Sequence, residues 1–173
     1  MMRMKILSIL CLAVCLFSCK KTSTSTEVSV QNNTESSIIS ISDIETLKYV
    51  DYALDSKADK IISNWMKYYE LETVVSNLKK ADISYFKNNA EILEALIKDL
   101  KSTIPEKFQT PLIQARILAL ETKLYKLEGV ANLSNIQKKE LLLSVQEVFV
   151  AFSNLNLQMN KQVERESQRI QKP

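Results

Sequence analysis

The chain has 173 residues, a formal charge of +3 and 46% hydrophobic residues, which is enough for one domain with an apolar core. Its single glycine and three prolines are too few for a turn-rich β-architecture, and the composition favours long helices. There is no histidine and all three cysteines lie within the first 19 residues, which excludes serine triads, cysteine nucleophiles and structural zinc sites from the rest of the chain.

Residues 1–18 predict a secretory signal peptide. Arg3 and Lys5 give it a positive start, and residues 6–17 form an apolar run that is too short to span a bilayer. Without this leader, 21 basic and 20 acidic side chains remain, because Arg3 and Lys5 are its only charged residues. Since nucleic-acid binding needs a concentrated basic face, we expect no nucleic-acid partner.

The sequence Leu-Phe-Ser-Cys at residues 16–19 resembles the lipobox of bacterial lipoproteins, in which the cysteine is acylated and becomes the new N-terminus. The alternative is an ordinary secretory signal with an incidental cysteine. The resemblance implies lipidation at Cys19, with the membrane as a partner. Two or three acyl chains would anchor the protein stably in the membrane, because each buried methylene contributes about 0.8 kcal/mol to binding. Lys20 and Lys21 would then lie beside the headgroups.

Residues 19–37 predict a lipidated, disordered tether. The part from Thr22 to Ser37 contains no leucine and no aromatic residue, so it cannot bury enough apolar surface to fold. A flexible chain of n residues spans about 5–6 Å × √n, which would hold the body within a few nanometres of the bilayer.

Residues 38–173 predict an all-α domain, namely an antiparallel up-and-down four-helix bundle with a short extra N-terminal helix and a long C-terminal helix. Apolar spacing and capping patterns predict a short helix over 43–54 and longer helices over 56–80, 82–104, 110–129 and 134–170, starting at Ser42, Ser56, Asp82, Thr110 and Ser134. The only glycine, Gly129, is expected to end the third long helix with a positive φ. Segment 38–54 is expected to cover the C-terminal half of the last helix, which outruns its neighbours.

The lipobox, the lysine-, serine- and asparagine-rich body, and the stretches NWMKYYEL, YFKNN and LKSTIPEKFQTPLIQARILALETKLYKLE together resemble the uncharacterised helical lipoproteins of Bacteroidota, flavobacteria in particular. The resemblance covers residues 55–130 and the leader, and Cys19 is the only functional residue that it implies. In that phylum an acidic stretch after the cysteine resembles a surface-export signal. Here Lys20 and Lys21 depart from it, which implies a periplasm-facing anchor on the outer or inner membrane.

An aromatic cluster begins the second half of the first long helix. Trp65 and Tyr68 lie on its apolar seam and are predicted to be core residues. Met66 and Tyr69 lie one position further round the helix and are predicted to be partly exposed. Because methionine and aromatic residues are enriched at interface cores, Met66 and Tyr69 are the candidate interaction surface.

Three glutamates define the one metal-site hypothesis that the sequence allows. In an antiparallel bundle Glu72, Glu91 and Glu121 would lie at similar levels, and carboxylates from several helices can bind a hard cation such as calcium. The alternative, which we favour, is that Glu72 lies at the edge of its seam and reaches water. No metal or other cofactor is therefore predicted.

Two further polar residues border the predicted core. Asn156 interrupts the seam of the last helix, and it either fixes the register as a buried polar residue or lies at the open end of the bundle, with Leu155 in the core. We favour the open end. Arg116 lies beside the seam residue Ile117 and is predicted to form an ion pair between helices.

The sequence offers no catalytic residues, so we expect a non-enzymatic, lipid-anchored interaction or scaffolding module of the cell envelope. Its partner would be another envelope protein. The alternative is a ligand-binding or sensory helical module of the periplasm, which a pocket lined by Trp65, Tyr68 and Phe149 would favour.

Lipidation at Cys19 is the first testable prediction. Metabolic labelling with an alkyne fatty acid should mark the wild-type protein and should leave Cys19→Ser unmarked, because only the Cys19 thiol would carry the thioether. Label that remains after this substitution would contradict the prediction. Cys15→Ser is the matched control and should label as the wild type does.

Overall fold

The computed structural model describes residues 39–168. The predicted signal peptide (residues 1–18) and the predicted tether (residues 19–37, which include Cys19) lie outside the described residues. So does the last part of the predicted C-terminal helix, from residue 169 onwards.

Residues 39–168 are helical with no β-strand among them, which confirms the predicted all-α class. Six α-helices occur in this part of the chain: α1 (Ile41–Glu45), α2 (Ser56–Ile62), α3 (Met66–Lys79), α4 (Ala90–Ser102), α5 (Pro111–Ala131) and α6 (Lys138–Ser167). Two short 3₁₀ turns, Ser84–Phe86 and Glu106–Phe108, lie in the connections before and after α4.

The helices share one apolar core. The most extensive contact is between α5 and α6, while α3 packs on α4 and α6, α4 packs on α5, and α2 packs on α6. Apolar residues at spacings of three and four place one face of each helix in this core. In α5 the predicted seam is confirmed, because its five residues are all buried: Ile113, Ile117, Leu120, Leu124 and Leu127.

The predicted start of α5 is also confirmed. The Thr110 hydroxyl accepts a hydrogen bond from the Ile113 main-chain N–H at 3.4 Å, which satisfies one of the unpaired donors of the first turn. Pro111 occupies the first helical position, where its missing N–H is not needed.

Two predicted helix starts are wrong by one or two residues. The capping box of α1 is formed by Ser40 and Asp43 rather than by Ser42 and Glu45, with the Ser40 N–H donating to the Asp43 carboxylate at 2.7 Å. The cap of α2 is Asp55, whose carboxylate accepts from two main-chain N–H groups of the first turn. In α1 the box lies two residues earlier, with Asp43 in the role predicted for Glu45, and in α2 Asp55 takes the role predicted for Ser56.

The predicted helix over 56–80 is interrupted at residues 63–65, between α2 and α3. Ser63 and Asn64 have low helix propensity, because their side chains compete for main-chain hydrogen bonds. The break leaves Trp65 as the N-terminal flanking residue of α3, where it is 1% exposed.

The predicted second long helix begins at Ala90, eight residues after its predicted start at Asp82, because two residues adopt positive φ angles. Ala81 has φ 63°, and the N–H groups of Ala81 and Asp82 turn back to the last carbonyls of α3. Asn88 has φ 55°, a conformation that asparagine tolerates. Asp82 accepts from the Ser84 N–H at 2.9 Å and so caps the 3₁₀ turn instead of the helix that follows.

The predicted role of Gly129 is wrong. Gly129 lies inside α5 and the described residues contain no glycine with a positive φ. The helix continues to Ala131, and its flanking residue is Asn132. The Asn132 side chain donates to the Phe86 carbonyl at 2.8 Å and accepts from the Asn88 N–H at 3.0 Å, so it joins the end of α5 to the turn before α4.

The last long helix starts at Lys138, four residues after the predicted start at Ser134. The intervening Ile136 is buried, which draws the connection from α5 against the core before the helix begins. The flanking residue, Gln137, makes no side-chain cap to the first turn.

The predicted helix over 43–54 is wrong beyond Glu45. Residues 47–55, here called the strap, contain no helix and lie along α6. The expectation that this segment would cover the C-terminal half of α6 is confirmed only in part, because the strap binds the middle of the helix from Gln146 to Asn160. Its conformation is not the expected one.

Replacement of Gly129 by alanine should stabilise the protein. A Cβ atom at this position would meet nothing within 4 Å, and glycine inside a helix costs about 0.5–1 kcal/mol relative to alanine. Chemical denaturation should therefore give a higher free energy of unfolding for Gly129→Ala. Ala119→Gly, at an exposed position of the same helix, should lose a similar amount. Destabilisation by Gly129→Ala would instead indicate the positive φ that the sequence predicted.

Candidate interaction surface

The prediction that Trp65 and Tyr68 belong to the core is confirmed, with exposed fractions of 1% and 0%. Their rings lie 5.6 Å apart. The Trp65 indole N–H donates to the Leu100 carbonyl at 3.3 Å, a carbonyl in the last turn of α4 that has no partner within its own helix. Trp65 thus ties the start of α3 to the end of α4.

The two residues of the candidate interaction surface lie one helical turn apart at the start of α3. Met66 is 69% exposed, the highest value among the large apolar side chains of residues 39–168. Tyr69 is half-buried, with its ring edge-on to Tyr68 at 5.8 Å. Partial burial raises the pKa of Tyr69, and the nearby Asp59 carboxylate raises it further. The candidate surface therefore consists of the exposed Met66 side chain and the exposed part of the half-buried Tyr69 ring.

Asn156 is 3% exposed, so the expectation that it lies at an open end of the bundle is wrong. Its side-chain carbonyl accepts from the Tyr68 hydroxyl at 2.8 Å, and its amide donates to the Tyr52 carbonyl of the strap at 2.9 Å. Leu155 is also buried, as predicted. Asn156 is therefore a buried polar connection between α3, α6 and the strap.

Tyr68 is held neutral by this environment. Burial is the largest influence on the hydroxyl and raises its pKa, with a smaller contribution from the Glu72 carboxylate. A neutral hydroxyl can donate to Asn156 over the whole physiological pH range. The connection is thus insensitive to ordinary changes in pH.

Besides Asn156, the side chains of Gln146, Ser153 and Asn160 on α6 bind the main chain of the strap. The Ser153 hydroxyl accepts from the Tyr52 N–H at 2.8 Å and donates to the Val50 carbonyl at 2.6 Å. Gln146 donates to the Lys48 carbonyl at 2.8 Å. The carbonyls of residues 48, 50 and 52 thus point to one side, as in an extended chain.

The end of the strap is bound by Asn160. Its amide donates to the Ala53 carbonyl at 2.9 Å and its side-chain carbonyl accepts from the Asp55 N–H at 3.0 Å. This holds Asp55 at the position from which it caps α2. The four α6 residues are spaced by seven, three and four, which places them on one stripe of the helix.

Two side chains of the strap make further contacts. The Tyr49 ring lies 5.2 Å from the Phe149 ring of α6, and the Asp51 carboxylate lies 2.6 Å from the Lys79 ammonium of α3. A groove of about 440 Å³ remains between the strap and α3, with Phe152 among its lining residues. The strap therefore does not fill the space between α3 and α6.

The three glutamates of the metal-site hypothesis do not come together. Glu121 forms an ion pair with Lys101 at 2.9 Å, and Glu91 is exposed on α4. Glu72 is exposed, and its pKa is raised by partial desolvation and by the Asp59 carboxylate. Within residues 39–168, no group of three or more potential acidic ligands is close enough to hold a metal ion.

The predicted ion pair of Arg116 is wrong. Arg116 lies on the exposed face of α5, and none of the ion pairs within residues 39–168 includes it. It lines a groove of about 360 Å³ between α5 and α6. The carboxylate in that groove, Glu147, pairs with Lys123 and Lys126 instead, and Lys126 is the largest influence that lowers its pKa.

The comparisons with other proteins give no relative for this chain, since no family model, no curated protein and no solved structure matches it. Among the helices of residues 39–168, none has the length and apolar character needed to cross a membrane.

The sequence did not identify the strap or its binding residues beyond Asn156. The sequence does contain a pattern that indicates these residues. Along an otherwise amphipathic helix, one stripe is polar and consists of Gln146, Ser153, Asn156 and Asn160. That stripe predicts a polar partner for α6. It does not specify which segment of the chain supplies the partner.

Loss of the Asn156 side chain should destabilise the protein. Asn156→Leu leaves the buried Tyr68 hydroxyl and the Tyr52 carbonyl without a partner, and we expect the free energy of unfolding to fall by about 2–3 kcal/mol. In a Tyr68→Phe background the loss should be about 1 kcal/mol smaller, because one of the two groups is already absent. Chemical denaturation of the four proteins measures this coupling.

Asn154→Leu is the matched control. Asn154 is half-exposed two residues away and should change stability by no more than about 0.5 kcal/mol. A stabilising effect of Asn156→Leu would show that the apolar seam tolerates leucine and that the polar connection is dispensable.

Proposed function

We propose that this chain is a non-enzymatic, lipid-anchored interaction module of the cell envelope, attached through an acylated Cys19 and facing the periplasm. The observation that carries the proposal is the exposed Met66 thioether beside Tyr69, at the start of a helix whose other large apolar residues are buried. Such a pair supplies an apolar contact for a protein partner. The lipobox and the polar stretch after it support the membrane anchor.

We also propose that α3, α4, α5 and α6 form an antiparallel up-and-down four-helix bundle. The pattern of contacts supports this arrangement, because α3 packs on α4, α4 on α5, α5 on α6, and α6 on α3. The connections between successive helices are also short, which favours antiparallel neighbours. The bundle would give the contact surface a rigid support.

The alternative function, a ligand-binding or sensory module, has less support. Trp65, Tyr68 and Phe149 are each no more than 1% exposed and contribute to one continuous core. Four grooves of about 360–450 Å³ lie on the surface of residues 39–168, and none of these three residues lines any of them. Close packing of the aromatic cluster favours a surface that binds a protein over a cavity that binds a small molecule.

Confinement at the membrane would strengthen a weak contact. A short flexible tether raises the effective concentration of a binding module to roughly the millimolar range for a partner in the same membrane. An exposed surface as small as Met66 and Tyr69 would then suffice for association, provided that Cys19 is acylated.

Crosslinking in native membranes tests the proposal. Met66→Ser should reduce the recovery of the partner several-fold, because it removes the most exposed apolar side chain without touching the core. Cys19→Ser should reduce recovery as well, because it removes the effective concentration given by the anchor. Tyr69→Ala is less informative, since Tyr69 also packs on Tyr68.

Ile92→Ser is the matched control, because Ile92 is 53% exposed on a different helix and should leave recovery unchanged. Equal recovery by wild type and Met66→Ser would show that the surface is assigned wrongly. Equal recovery by wild type and Cys19→Ser would show that membrane confinement plays no part.

A further inference from the structure

The strap lies on α6 in the way that a bound peptide lies on a receptor. Every hydrogen bond that Gln146, Ser153, Asn156 and Asn160 make to the strap ends on a main-chain atom. Main-chain groups are the same in every extended segment, so these contacts bind the shape of the chain and not its sequence.

Selectivity for particular side chains comes from two positions. One is the Tyr49 ring, which packs on Phe149, and the other is the Asp51 carboxylate, which pairs with Lys79. Residues two apart lie on the same side of an extended chain, so one face of the strap presents an aromatic ring and a carboxylate together. The strap thus presents an aromatic residue to α6 and, two positions later, an acidic residue to α3.

The strap is only partly buried. Leu47, Tyr49 and Leu54 are half-buried and pack against the core, whereas the residues between them are exposed. Val50 is 64% exposed and Tyr52 is 39% exposed, and Asp51 and Ala53 are exposed as well. No side chain of the strap is fully buried, and segments with few buried contacts open locally at a lower free energy than the core. The groove of about 440 Å³ beside the strap gives a second extended segment room to approach α3.

We propose that the groove between α3 and α6 is a binding site for an extended segment of a partner protein, and that the strap occupies this site in the free protein. The partner segment carries an aromatic residue followed two positions later by aspartate or glutamate. This inference rests on the proposed function as an interaction module and names the chemistry of its partner. Binding replaces the strap, which remains attached through α2.

The test uses a fluorescent peptide with the sequence of residues 47–55, LKYVDYALD, and measures its anisotropy on addition of the purified full chain. The wild type should bind it weakly, because its own strap already holds the polar side chains of α6. Asp51→Lys in the protein should bind it about tenfold more tightly, since repulsion by Lys79 raises the fraction of molecules with an open groove. The residues of α3 and α6 that form the site are unchanged in this variant.

A charge exchange distinguishes recognition by the groove from a general loosening of the protein. Lys79→Asp should bind the peptide with lysine at the Asp51 position more tightly than LKYVDYALD, and Asp51→Lys should show the opposite preference. Equal binding of the two peptides to both variants would overturn the proposal. Failure of both variants to bind more tightly than wild type would overturn it too.

Asp99→Lys is the matched control. Asp99 pairs with Lys67 at 3.6 Å and has a side-chain exposure of 50%, the same as Asp51, but it lies away from the groove. It should bind the peptide as the wild type does. Circular dichroism of each variant should retain the helical signal, so that weak binding reflects the groove and not unfolding.

Light scattering completes the experiment. A monomeric Asp51→Lys protein that binds the peptide supports the proposal, whereas a dimer would show that the site takes the strap of a second copy. If the peptide fails to bind while Met66→Ser still reduces crosslinking in membranes, only the groove assignment is wrong and the interaction module stands.

Discussion

The buried side chain of Asn156 is the interaction on which the arrangement of residues 39–168 depends. It accepts from Tyr68 on α3 and donates to Tyr52 of the strap, while its own main chain belongs to α6. A buried amide side chain has one acceptor group and one donor group, and leaving either group without a partner costs about 1–3 kcal/mol. Since one residue satisfies partners from three parts of the chain, it fixes how α3 and the strap are placed on α6.

The strap shows how a segment without regular structure is held to a helical protein. Each hydrogen bond to Gln146, Ser153 or Asn160 contributes about 0.5–1.5 kcal/mol net, which is comparable with the 1–2 kcal/mol of entropy lost when one residue is fixed. Only six such hydrogen bonds hold the nine residues of the strap, so they do not offset this entropy by themselves. The half-buried side chains of Leu47 and Leu54, which pack against the core, are also needed. The contact of Tyr49 with Phe149 and the ion pair of Asp51 with Lys79 add the remaining attraction.

The two candidate surfaces differ in character and lie on different parts of α3. Met66 at its start offers exposed apolar area, whereas Lys79 at its end belongs to a polar groove that the strap already occupies. An apolar surface favours a partner with a complementary apolar face. The groove favours an extended segment. Both belong to a helix that Trp65 and Tyr68 fix to the core, which keeps them in a constant relation to α6.

The sequence alone determined the all-α class, the apolar face of α5 with its Thr110 cap, and the burial of Trp65 and Tyr68. These features depend on contacts within a few residues and on a spacing of three and four, which the sequence displays directly. Tertiary structure decided the conformation of residues 47–55. Leu47, Val50 and Leu54 are spaced as in a helix, and the helix was a sound local prediction. The segment is extended because its partners on α6 lie 98 to 107 residues away, a distance over which no local pattern carries information. Gly129 and Asn156 show the same limit. The end of α5 beyond Gly129 depends on the hydrogen bond of Asn132 to the Phe86 carbonyl, and the burial of Asn156 depends on the strap. These partners meet only in the folded chain.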